Sequence, residues 1–108
     1  MTNFPKPPAT FTAFQKKYPN IAKAWELLSS AGQDGPLDEA TQRLVKLGIA
    51  IGSMREGAVH SAVRKARAAD VSREAIEQAI ALAATTIGLP STVAIYSWIE
   101  EQFDKPRK

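Results

Sequence analysis

The chain contains no cysteine among its 108 residues, which excludes disulfides, thiolate metal sites and cysteine nucleophiles in one step. It has a single histidine, His60. One imidazole builds no typical zinc site without carboxylates from elsewhere, and the sequence shows no suitably spaced set, so neither a metal nor a cofactor is expected. The longest nearly unbroken apolar run, Leu47 to Met54, is far shorter than the roughly 20 residues that span a bilayer. The N-terminus, MTNFPKPPAT, lacks a signal-length apolar segment and a small-residue cleavage site behind one. A cytoplasmic protein without a membrane partner is the expectation. Dense basic blocks are missing too: 14 Lys and Arg against 11 Asp and Glu give +3, scattered along the chain, unlike the arm of a nucleic-acid binder. There is no alternating run long enough for a sheet and no repeat of fixed period.

What is present has helical spacing. Hydrophobic residues make up 44% and charged residues 23% of the chain, the composition of a globular protein with a folded core. The length suits one domain, near the size at which small subunits gain stability by associating. The expected organisation is a Pro-rich arm over 1–9, one all-α domain over 10–104 folded as a compact bundle of about six helices, and a basic tail over 105–108. A first helix is expected around Phe11 to Lys17, and Pro19 opens a second that runs to about Ser30. Ile21, Ala24, Trp25 and Leu28 form its expected buried face. After the break AGQDGP, Asp38 caps a third helix to about Met54. That helix is apolar around much of its circumference, with Gly48 and Gly52 open to a neighbour, and is expected to be the most buried. A fourth helix, to about Ala69, carries a small-residue stripe of Ala58, Ala62, Val63, Ala66 and Ala69. Ser72 caps the fifth, which presents Ile76, Ala79, Ile80, Ala83 and Ile87 and ends at Gly88. The sixth spans about Ser91 to Phe103. Trp25, Trp98, Tyr18 and Tyr96 sit at helical spacings, as core or subunit-interface residues do.

The order of these landmarks resembles the carboxymuconolactone decarboxylase and alkylhydroperoxidase D-like family over roughly Pro36 to Glu101. PLDEATQRLVKLGIAIG is similar to that family's "LD..T.EL..LA.A" helix, and AVRKARAADVSREAIEQAIALAATTIGLPSTVAIY to its "H..KA...G.S.EEI.E...........P....A". The resemblance implies an all-helical subunit that forms a homo-oligomer, as a dimer, trimer or hexamer. Redox members carry C-x-x-C-x-x-x-H, which aligns here with Arg55, Ala58 and Ala62, and a glutamate that aligns with Arg43. The thiols are absent, so thiol peroxidase chemistry is excluded. The decarboxylase branch has its histidine at the position of Ala62. His60 lies two residues earlier, roughly 200° around a helix.

Two candidate sites follow. Glu56, His60 and Arg64, at successive i,i+4 positions, share one helix face. A carboxylate orienting an imidazole is the arrangement of a general base, here a lactone-type decarboxylase using Glu56 and His60. The alternative is a solvated face with ion pairs worth a few tenths of a kcal/mol. On a helical wheel Arg55 falls at the centre of the Ala58, Ala62 and Ala66 face, and Arg43 shares a stripe with Leu47, Ala50 and Met54. Guanidinium groups facing a core need partners. Arg43 and Arg55 are thus expected either to converge on a small anionic molecule at the former redox site, with Ala58 and Ala62 leaving room, or to pair with Glu39, Glu56 or a neighbouring subunit's glutamate. A non-catalytic structural or partner-binding subunit is the remaining alternative. ARAADVSREAIEQAIALA has the outline of a helix-turn-helix, but its second helix is acidic and apolar where base-reading helices are polar or basic, so no nucleic-acid partner is expected.

Overall fold

The computed structural model describes residues 9–104, so residues 1–8 of the expected arm and all of the basic tail lie outside the described residues, while Ala9 already belongs to a helix. Among the described residues there are six helices and no strand: α1 (Ala9–Lys17), α2 (Pro19–Gln33), α3 (Glu39–Ser53), α4 (Glu56–Ala68), α5 (Arg73–Ile87) and α6 (Leu89–Asp104). The all-α expectation is met. The described chain divides into two units, the first ending at Leu37 and the second beginning at Asp38.

The expected punctuation is in place. Asp38 Oδ1 accepts from the Thr41 amide at 2.8 Å and Ser72 Oγ from the Ala75 amide at 3.1 Å, each satisfying an orphan N–H at a helix start. The Thr41 side chain and then its amide hold the Asp38 carboxyl below its ordinary range. Gly88, at φ 89°, ends α5 in a backbone region that glycine enters without steric cost. Met54 ends α3 at φ 59°, a left-handed position taken by a residue with a Cβ.

In the unit from Asp38, α3 packs on α4 and α5, and α6 packs on the same two helices from the other side. The core is Leu47, Ala50 and Ile51 of α3; Val59, Val63 and Ala66 of α4; Ile76 and Ile80 of α5; Ile95 and Ile99 of α6; and Val71 of the connecting turn. Thr92 is also buried, and its hydroxyl is satisfied by donating to the Gly88 carbonyl at 2.8 Å. The α6 end is clasped by cations. Arg67 and Arg73 both lie over the Phe103 ring, with guanidinium carbons 4.9 and 4.6 Å from its centroid. Arg67 Nη1 donates to the Gln102 carbonyl, and Arg73 pairs with Glu77 and Glu100. The bond to Glu77, foremost, raises Arg73 above the ordinary arginine value.

Three expectations about packing are corrected. In α4 the buried line is Val59, Val63 and Ala66, while Ala58 is exposed and Ala62 only partly buried. Valines at i and i+4 remove more apolar area from water than alanines, and they set the face. In α3, Gly48 and Gly52 are exposed, and a Cβ at either would meet nothing within 4 Å among the described residues. In α2, Ile21, Trp25 and Leu28 are more than half exposed, at 52, 55 and 69%, and Ala24 is exposed as well. The expected apolar face exists, but it is not a core face.

Candidate functional site

The candidate residues all sit on α3, α4 and the turn between them, and that hairpin sorts them into three places. Met54 in the left-handed region and Arg55 in extended backbone (φ −94°, ψ 112°) break the helical path. Arg55 is consequently the N-cap of α4 and not part of its wheel. Its side chain is exposed, correcting the expectation that it faces the core. Its amide donates to Ser53 Oγ at 3.3 Å and its carbonyl accepts from Val59, so its backbone belongs to the turn.

Arg43 lies at the other end of α3. The ten steps from Arg43 to Ser53 rise about 15 Å along a helix axis. The structure therefore does not bring Arg43 and Arg55 together. Arg43, half-buried, is instead a neighbour of Lys65 near the end of α4, as are Lys46 and Arg64. Burial, foremost, holds the Lys65 ammonium below the ordinary lysine range, and the charges of Lys46, Arg43 and Arg64 lower it further. The described ion pairs, Glu56–His60, Arg73–Glu77 and Arg73–Glu100, leave these four cations without a carboxylate partner among the described residues. Sequence reasoning passed over Lys46 and Lys65. The i,i+3 spacing of Arg43 and Lys46 was legible, but their approach to Lys65 depends on how two antiparallel helices pack.

Glu56 and His60 do meet. His60 Nε2 is 3.5 Å from Glu56 Oε2, with side chains 26% and 53% exposed, and Nε2 itself is buried without a hydrogen-bond partner. At that separation the two atoms do not make a well-formed hydrogen bond. His60 is seven residues before Arg67, so the two share a stripe of α4, and Arg67 reaches the α6 carbonyl of Gln102. Ala62 and Lys65, three apart, share another stripe of α4, and Lys65 feels the charge of Arg43 on α3. Arg64, at i+4 from His60, shares the face of the Glu56–His60 pair, while Lys65, five residues after His60, is turned roughly 140° from it, so the pair adjoins the cations at Arg64. Among the described residues there is no group of three or more His, Asp or Glu placed to hold a metal ion, and no helix is long and apolar enough to cross a membrane.

The model of the carboxymuconolactone decarboxylase family matches residues 19–101, which takes in α2 as well as the stretch from Pro36 that carries the landmarks. No curated protein and no solved structure matches the chain.

Proposed function

Because the chain belongs to the carboxymuconolactone decarboxylase family, we propose that it is a cysteine-free member that binds a small anionic molecule on the α3–α4 hairpin, at the Arg43 end. The observation that carries this reading is the cluster Arg43, Lys46, Arg64 and Lys65, four cations without a carboxylate among them. Like charges gathered on one surface destabilise the fold, and a bound anion relieves the repulsion. Guanidinium groups supply planar forks for carboxylate or phosphate, while the lysines add point charges. Ala62, partly buried, lies one turn before Lys65 on α4 and adds no charge to the cluster. Arg55 and Ala58, exposed near the hairpin turn, stand outside this anion contact.

A panel of inorganic phosphate, pyrophosphate, citrate and simple monocarboxylates tests the proposal by thermal shift at constant ionic strength. Multiply charged anions should raise the melting temperature in a saturable way, and Arg43→Gln should weaken the effect. Equal shifts from every salt, unchanged in Arg43→Gln, would remove this reading.

A second reading, a homo-oligomeric partner-binding subunit, is favoured by the exposed apolar residues of α2 and by Val45 and Ile49 on the outer side of α3, which are 47% and 67% exposed. The lactone-type decarboxylase reading rests on the Glu56–His60 contact alone. Any turnover detected should disappear in His60→Ala; turnover that survives would exclude it.

A further inference from the structure

A lysine amine is a nucleophile only as the free base, a form favoured by withdrawal from water and by cationic neighbours. Lys65 meets both conditions. Burial, foremost, holds its ammonium below the ordinary lysine range, and Lys46, Arg43 and Arg64 lower it further. The fold places these groups independently of that titration. The turn at Met54 and Arg55 returns α4 along α3, and Leu47, Ala50 and Ile51 share one core with Val59, Val63 and Ala66. Arg43 stands eleven residues before Met54 and Lys65 ten after Arg55, so at about 1.5 Å per residue the two reach the same height on facing helices. Lys46, three residues nearer the turn, stands on the Arg43 flank of α3. Lys46 and Lys65 are exposed and Arg43 is half-buried, so a small molecule reaches all three from solvent.

Where an anion carries its electrophilic carbon decides whether this arrangement can act on it. A simple carboxylate or inorganic phosphate has no carbon that an amine attacks. A 2-oxo acid forms an imine, and Lys65, being exposed, leaves that imine open to reversal by water. An acyl phosphate fits. Its phosphate takes the Arg43 fork and the Lys46 point charge, and its carbonyl carbon, one oxygen away from phosphorus, comes to the Lys65 amine.

We propose that Lys65 is an acylation site for small acyl phosphates, which Arg43 and Lys46 hold by the phosphate beside the amine. The step rests on anion binding at this cluster and adds group transfer to it. The Lys65 Nζ lone pair attacks the carbonyl carbon and forms an N–C bond. The C–O bond to phosphate breaks, inorganic phosphate leaves with that electron pair, and the proton lost from nitrogen passes to water. The product is an uncharged amide. One cation of the cluster is then gone, so the acylated chain should hold multiply charged anions more weakly than the unmodified one.

The test incubates the full chain with acetyl phosphate at constant ionic strength and follows acetylation at each lysine by peptide mass spectrometry. Lys65 should be acetylated severalfold faster than the exposed Lys16, Lys17 and Lys23, inorganic phosphate should compete, and Arg43→Gln should slow the reaction at Lys65. The uncharged N-hydroxysuccinimide ester of acetate measures amine reactivity alone; its preference for Lys65 should be smaller and insensitive to phosphate. Thermal shift with pyrophosphate on the same samples reads the anion site by itself. Lys65 acetylated no faster than Lys16, Lys17 and Lys23 overturns the acylation, and a saturable pyrophosphate shift that depends on Arg43 then leaves the anion site standing. A preference for Lys65 that is equal with both donors and untouched by phosphate also overturns it, because the phosphate guides nothing. Absence of both the preference and the shift overturns acylation and anion binding together. If Arg43→Gln loses helicity, the phosphate competition in the wild type decides.

Discussion

Replacing Lys65 with glutamine should change stability in opposite directions with and without a bound anion. Lys65 has three cationic neighbours, Lys46, Arg43 and Arg64. A like-charge neighbour costs about 0.2–0.5 kcal/mol on a helical surface; Arg43 and Lys46 of the facing helix then amount to roughly 0.4–1 kcal/mol at low salt, while Arg64, adjacent in sequence, faces away and adds little. Lys65 as a residue is exposed although its ammonium end is partly withdrawn from water, and solvent and counterions reduce the charge penalty to about 0.2–0.5 kcal/mol. Without a multivalent anion, Lys65→Gln should therefore be more stable than the wild type, by about 1–4 °C in melting temperature for a domain of this size. The pH dependence has a defined sign. The folded state depresses the Lys65 ammonium below its ordinary 10.5, so the unfolded chain binds more protons between the two values and stability rises with pH there. The penalty is full below the lowered folded value and is relieved as pH climbs to the unfolded one, above which the variant's advantage should vanish. With pyrophosphate present the order reverses. A ligand at a hundredfold its dissociation constant stabilises by about 2.7 kcal/mol, and the variant, lacking one charge-assisted contact, should recover visibly less of it. Calorimetric melts of both proteins at low and high salt, with and without the anion, make the comparison. A variant less stable than the wild type at low salt, or one that gains as much from the anion, would refute the charge reasoning.

Three further outcomes follow from the fold. Ile76→Ala, at a side chain buried completely in α5, should lower unfolding free energy by about 2–5 kcal/mol through lost transfer and a residual cavity, measurable in urea. Met54→Gly should raise stability by up to about 1 kcal/mol, because the left-handed φ of 59° penalises a Cβ and does not penalise glycine; a loss of stability would show that the exposed methionine side chain contributes more than the strain. Asp38→Ala should remove the α3 cap and flatten the acid limb of the melting-temperature profile. Thr41 holds the Asp38 carboxyl below 3.8, so its stabilisation is full above the unfolded value and is lost as pH falls through the lowered folded one.

Much of the fold was legible because its signals are local. Asp38 and Ser72 cap the helices that their side-chain chemistry suggests, Gly88 stops α5 where only glycine is unstrained, and Ile76 and Ile80 repeat at core spacing. The order of landmarks around PLDEAT and ADVSREAI placed the chain in its family. Among the candidate site residues, the Glu56–His60 contact was legible for the same reason, since i,i+4 partners meet on any helix. Arg55 was misplaced because a wheel assumes an unbroken helix, and the left-handed Met54 breaks it one residue earlier.

The sequence by itself determined the absence of thiol chemistry, the helical class and the caps at Asp38, Ser72 and Gly88, since each depends on residue type or on interactions within four positions along the chain. Tertiary structure alone decided that Val59, and not Ala58, faces the core, that Arg43 keeps company with Lys65 and not with Arg55, and that the apolar line from Phe11 to Leu28 is exposed. These depend on which helix faces end up opposite each other. An amphipathic stripe specifies that something apolar will cover it, and the stripe is equally well satisfied by the chain's own core or by another molecule.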